Sequence, residues 1–330
     1  MSQHALSSRI VPIPPIHDEK RFAALGPLQR SLPATCRWSL HQISTYRWSL
    51  IEDIERYRAA GIPAIGLWHR KIQEAGEEQA VDAIAESGLG VSSLSWLGGF
   101  TGTEGMSHQE AVDEAIAAIQ IAGRLGARSV VVVSGARGRH ITSHAQRCVR
   151  TALIELGDAA AEAGLNVLLQ PESRALCRPW SIFGNWEAAL ELVAECRHPH
   201  VKLAVDLDRL LPGNMPQPRL NEVVPFLGQV QIPHAEPLPH FGSRILRPPA
   251  GSPPLAGRDG LSAQSSAGVS RTAAASLAAA PSDRVLALQL AGFSGYVEIE
   301  FWSETIWQSA YESWLPALSQ RWNVKPICAN

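Results

Sequence analysis

Short apolar runs alternate eight times with longer segments of helical period, and this rhythm limits the fold more than any single motif. The runs are RWSLHQI (37–43), PAIGL (63–67), GVSSLS (90–95), RSVVVV (128–133), LNVLLQ (165–170), VKLAVD (201–206), GQVQI (228–232) and YVEIE (296–300). Between them lie segments such as SLIEDIERYRAAG and HQEAVDEAIAAIQIAGRLG, whose apolar residues return every three or four positions, the spacing of a helix with one buried face. Three of these segments stop at a glycine just before the next run, at Gly61, Gly126 and Gly164, where a left-handed residue ends a helix without a Cβ clash.

Eight strand–helix units fit either a closed (βα)8 barrel or a doubly wound open sheet. A nucleotide-binding open sheet would carry a glycine-rich turn after its first strand, whereas here the first run continues into ISTYRWS. The expectation is an α/β protein built as a (βα)8 TIM barrel, with its site at the C-terminal ends of the strands. Regular structure is expected over 36–322, after a Pro- and Ser-rich arm at 1–35 and before a tail at 323–330. A low-complexity insertion interrupts the barrel at about 240–282. Within it, residues 248–281 hold 25 Pro, Ala, Gly or Ser out of 34, too few large apolar groups to offset the entropy of ordering, so flexibility is expected.

Charge and cysteine content narrow the partners. With 29 basic and 31 acidic side chains and no clustered basic stripe, the chain has no footprint for nucleic acid. No apolar run reaches the roughly 18 residues of a membrane span, and the N-terminus lacks a signal-peptide pattern, so no membrane partner and a cytoplasmic location are expected. The five cysteines are odd in number and lack CxxC spacing, which fits free thiols. A basic segment, SGARGRH (134–140), is a weak candidate for anion binding.

The polar residues at the last strand tips are the chemical signal. Strands five to eight end in Gln170 with Glu172, Asp206 with Asp208 and Arg209, Gln231 with His234, and Glu300 with Glu304. Adjacent strands bring these tips together, and carboxylates and amides that converge this way suit a hard divalent cation. In YVEIEFWSE the two-residue period puts Glu298 and Glu300 on one face, and an inward acid needs a partner or a task. Trp68, Trp96, Trp180 and Trp302 also fall at or just after strand ends, where indoles can stack on sugar C–H faces or wedge helices onto the rim.

The segments SLHQIST, GIPAIGLW, SSLSWLGGF, VVVVSGARG, KLAVDLD and GYVEIEFWSE together resemble the sugar-phosphate isomerase/epimerase superfamily, with its xylose-isomerase-like barrel. The likeness runs over 36–234 and 283–322. It implies a divalent metal (Mg or Mn) held by Glu, Asp, His and Glu on strands five to eight, with the two Glu also moving the proton. Asp206 and Glu300 match that pattern. Gln170 replaces the first Glu, Gln231 stands where many members have His, and Arg209 replaces a substrate-contacting His. An amide brings no charge and takes no proton, so any metal would be weakly held.

Two functions follow from the resemblance and its departures. The first is a sugar or polyol isomerase/epimerase acting by metal-assisted proton transfer next to a carbonyl. Glu300 would be base and ligand, Asp206 a ligand, Gln170 and Gln231 neutral ligands, and Glu172 or His234 the second proton carrier, with Trp68, Trp96, Arg209 and Trp302 contacting substrate. The second is a catalytically degenerate barrel that binds a ligand or serves as a scaffold. Both are compatible with a homo-oligomer.

Overall fold

The computed structural model describes residues 37–103, 105–171, 180–211, 215–235 and 282–321. The N-terminal arm, the insertion at 248–281 and the C-terminal tail lie outside the described residues. Eight strands, β1 (Arg37–His41), β2 (Ala64–Trp68), β3 (Gly90–Gly98), β4 (Ser129–Val133), β5 (Asn166–Leu169), β6 (Val201–Asp206), β7 (Leu227–Ala235) and β8 (Tyr296–Trp302), close into one barrel in sequence order. Every neighbouring pair is parallel, and β1 completes the ring by pairing with β8, Leu40 opposite Ile299. All eight expected strands are present. β7 runs on past Pro233, which sits opposite Glu300 in the ladder; a proline gives no N–H, so it marks a point where only the carbonyl is offered.

The helices are α1 (Leu50–Ala60), α2 (His69–Ala75), α3 (Glu77–Ser87), α4 (His108–Arg124), α5 (Thr142–Ala163), α6 (Trp186–Cys196), α7 (Leu207–Leu210), α8 (Gln217–Val223), α9 (Ser282–Leu290), α10 (Glu304–Gln308) and α11 (Leu315–Arg321). Their boundaries are written locally. Ser49 and Glu52 form a reciprocal capping box at the start of α1, as Ser107 and Glu110 do for α4, each worth about 1 kcal/mol. α1 ends at Gly61, whose φ of 75° is left-handed. On α4 the buried face is Ala111, Val112, Ala115, Ala118, Ile119 and Ala122, the three-and-four spacing seen in the sequence.

One apolar core lies between the barrel wall and these helices, joining Leu40, Ile65 and Val130 on strands to Ile54, Val112 and Leu153 on helices. A second cluster sits apart and contains Ile43, Trp68, Trp96, Val131, Val133, Leu168, Trp180, Trp302 and Trp307. Among the described residues no helix is long and apolar enough to cross a membrane.

Candidate functional site

The two-residue period of β8 sends both Glu298 and Glu300 into the barrel, and β7 sends Gln229 and Gln231 in beside them. Two polar layers result. In the inner layer Glu298 is fully buried and accepts from Ser92 Oγ at 2.5 Å, Gln229 Nε2 at 2.6 Å, Ser39 Oγ at 3.1 Å and Ser93 Oγ at 3.3 Å. Burial pushes its carboxyl up to about 7, and the four neutral donors restrain that rise. Gly66 on β2 makes room, since a Cβ there would collide with the Glu298 carboxylate and with the His41 ring.

The outer layer is a chain of hydrogen bonds. Trp96 Nε1 donates to Gln170 Oε1 at 2.8 Å; Gln231 Nε2 donates to Gln170 Oε1 at 3.2 Å and to Glu300 Oε1 at 2.7 Å; Trp302 Nε1 donates to Glu300 Oε2 at 2.8 Å. An indole N–H can only donate, so the atom Trp96 meets on Gln170 is oxygen, and the atom Gln231 turns to that oxygen is nitrogen. This polarity follows from the chemistry of the partners. Gln170, Gln231 and Glu300 are 7%, 2% and 2% exposed, closed over by the indoles of Trp96, Trp180 and Trp302, whose ring centroids lie 5.0 to 6.3 Å apart.

The remaining sequence-derived residues are placed differently. Asp206 caps α7, accepting from the Asp208 N–H at 2.8 Å, and lies 3.4 Å from Arg209 Nε, so this acid and Arg209 serve each other at the helix start. Burial raises the Asp206 carboxyl, and the Asp208 N–H and the Arg209 charge act against that rise. Trp68 ends β2 against Tyr46, 5.8 Å away, and Arg70. Glu172 lies outside the described residues. His234 continues β7 with its backbone opposite Phe301, but its side chain is outside the described set. The basic segment after β4 lines a separate cleft at the start of α5 with Arg139, His140, Ser143, His144 and Arg147.

Three buried features escaped the sequence reading. His41 at the tip of β1 accepts the Ile43 N–H on Nδ1 at 3.0 Å, so Nε2 carries the proton and donates to Ser95 Oγ at 2.6 Å. Burial, with the Lys71 charge adding to it, lowers this imidazole to about 3; it stays neutral, 4.5 Å from the Trp96 ring. The serine cradle of Glu298 is the second. The third is a buried pair, Lys71 Nζ to Asp53 Oδ2 at 2.7 Å, tied to Gln42 and Thr45. Burial pushes the Asp53 carboxyl up to about 6 and the Lys71 amine down, outweighing their attraction. The SLHQIST segment held the only local signal for these, since alternation sends its Ser39 and His41 inward together.

The described residues at the strand tips do not make a metal-ligand set. Among the described residues no group of three or more His, Cys, Asp or Glu side chains converges to hold an ion. A cation shared by Gln170 Oε1 and Glu300 Oε1 would have to displace Gln231 Nε2, which bonds to both.

A barrel of eight parallel strands with a polar C-terminal tip defines a class, and the sequence places the chain within it. Residues 54–234 match the Xylose isomerase-like TIM barrel family, and the chain belongs to that family. No curated protein matches the sequence. Among solved structures, protein SMc04130 from Sinorhizobium meliloti 1021 is 17% identical with a TM-score of 0.65, over 86% of this chain and 96% of that one. The IolI protein with a bound zinc atom is 17% identical with a TM-score of 0.61, again over 86% and 96%. The D-allulose 3-epimerase from Methylomonas sp. in complex with D-allulose is 16% identical with a TM-score of 0.56, over 83% and 86%. At these identities the likeness is one of fold.

Proposed function

We propose that this chain is a sugar- or polyol-binding barrel that recognises a neutral polyhydroxy compound at the C-terminal end of its strands, without metal-assisted proton transfer. One observation carries the reading: the oxygens of Gln170 and Glu300 that would meet a cation already accept N–H bonds, and Gln231 presents nitrogen to both. The fold's relatives support the ligand class, since a solved neighbour holds D-allulose. In this reading Glu300 is the hydrogen-bond acceptor for a hydroxyl, Gln170 holds Gln231 and Trp96 in place beside it, and Trp96, Trp180 and Trp302 enclose the sugar's C–H faces.

The rival, an isomerase/epimerase with Mg²⁺ or Mn²⁺, needs Glu172 or His234 to supply the missing charge and the second base. The test is to incubate the purified chain with D-allulose or D-fructose in D₂O, with and without Mn²⁺. Loss of carbon-bound hydrogen is followed by NMR, and Mn²⁺ affinity by calorimetry. The expected result is sugar binding with no hydrogen exchange and no stoichiometric metal. Stoichiometric Mn²⁺ together with metal-dependent exchange would overturn the binding reading in favour of the enzyme.

A further inference from the structure

Three indoles meet over Glu300, and they differ in one respect. The N–H of Trp96 ends on Gln170 and that of Trp302 on Glu300. The N–H of Trp180 ends on nothing: among the described residues its Nε1 is buried without a hydrogen-bond partner, although the residue is only 3% exposed. Buried indole donors ordinarily find an acceptor, because leaving one unmade forfeits the hydration it had in the unfolded chain.

The position of Trp180 is not slack. Its backbone carbonyl accepts the Gly135 N–H at 2.7 Å, and two residues on the Ile182 N–H donates to Ser134 Oγ at 2.8 Å, so the segment is pinned to the chain that leaves β4. The ring itself packs at 6.3 Å from Trp96 and at 5.9 Å, edge-on, from Trp302. A donor whose backbone and ring are both anchored and which is left without a partner among the described residues is what a site prepared for an acceptor atom looks like.

We propose that Trp180 is a specificity-determining residue of this mouth: its indole N–H donates to a hydroxyl or carbonyl oxygen of the bound polyhydroxy compound, while Trp96 and Trp302 hold Gln170 and Glu300 in place. The inference rests on the mouth being a sugar or polyol site, and it adds a requirement to that reading. A ligand must carry an oxygen facing Trp180, and an analogue with hydrogen at that carbon binds worse. The expected discrimination is about tenfold, the worth of one buried hydrogen bond.

The experiment uses the full chain labelled with ¹⁵N-tryptophan, which gives ten indole signals, with D-allulose, D-fructose and D-glucitol as probes. Trp180→Phe, Trp96→Phe and Trp302→Phe assign the three that matter. In the free protein the Trp180 indole proton is expected upfield of those of Trp96 and Trp302, and a bound sugar moves it downfield. Trp180→Phe then weakens binding of that sugar about tenfold. A variant that keeps its other nine indole signals in place is folded, so each assignment carries its own control. If the Trp180 proton is already downfield in the free chain, water or protein bonds it and the role falls. If a sugar shifts Trp96 and Trp302 but leaves Trp180 unmoved, and Trp180→Phe binds as before, the role falls while the sugar site stands. If no probe moves any of the three, the sugar site itself falls and takes this role with it.

Discussion

Glu298 and Glu300 stand two residues apart on one strand, and each takes an amide N–H from β7, Gln229 at 2.6 Å and Gln231 at 2.7 Å. Their other partners part company. Glu298 is ringed by serine hydroxyls, which can donate or accept as the acid's own protonation requires. Glu300 faces an indole, and its amide partner is shared with Gln170, so its layer is fixed in one sense and reaches out to three tryptophans. The same Gln–Glu pair across neighbouring strands serves as a closed brace in one layer and, in the proposed function, as the base of a recognition surface in the next. What separates them is the donor chemistry: serines of β1 and β3 surround Glu298, whereas the Trp302 indole at the end of β8 meets Glu300.

The largest test of this contrast is pH. Glu298 has a folded-state value of about 7 against an ordinary 4.5, so the folded chain holds its proton more tightly than the unfolded one. Its contribution is full below pH 4.5 and is lost as pH rises through 7, about 3 kcal/mol in all. Asp53, raised from 3.8 to about 6, adds a decline of the same sign at lower pH. Urea denaturation of wild type and Glu298→Gln from pH 4 to 8 should show a flatter profile for the variant; parallel profiles would mean that Glu298 does not titrate inside the barrel.

A smaller effect is expected at Gly66. Gly66→Ala drives a methyl into Glu298 and His41 and should cost about 2 kcal/mol in a denaturant melt; Trp96, which packs on His41, shifts with it, while the indole signal of Trp302 keeps its position. If the Trp302 signal moves as well, the two layers are one unit and the contrast drawn above is false. The third test is in the outer layer. Gln170→Glu puts a second carboxylate on Gln231 Nε2 in a buried setting, lowering stability at pH 8 by roughly 3 kcal/mol through repulsion from Glu300 at an effective dielectric near 20. Millimolar Mn²⁺ should restore it. Equal stability with and without Mn²⁺ would show that the layer cannot be converted into a metal site by charge alone.

The barrel was legible because its period repeats in every unit: Val130 to Val133 and Val297 to Ile299 read as strands, and Gly61 and Gly164 end helices where they were expected. The inward direction of Glu298 and Glu300 was legible for the same reason. Their partners were not. Trp96 reaches Gln170 across 74 positions and Ser92 reaches Glu298 across 206, contacts set by barrel closure, which no local pattern encodes. Asp206 shows the opposite case, since Asp followed by a short run ending in Arg209 is a helix start by its own local chemistry.

The indoles at the two ends of the outer chain also govern traffic through it. A proton wire needs every member to receive on one side and release on the other. Trp96 and Trp302 only release, and Gln231 gives both its bonds from one NH₂ group. A proton that arrived on Glu300 would therefore have no onward path through these neighbours, and a proton leaving it could not be replaced from them. Through these four bonds no proton is relayed; in the proposed sugar-binding reading they supply instead a fixed pattern of donors and acceptors against which the hydroxyls of one sugar can be told from those of its epimer.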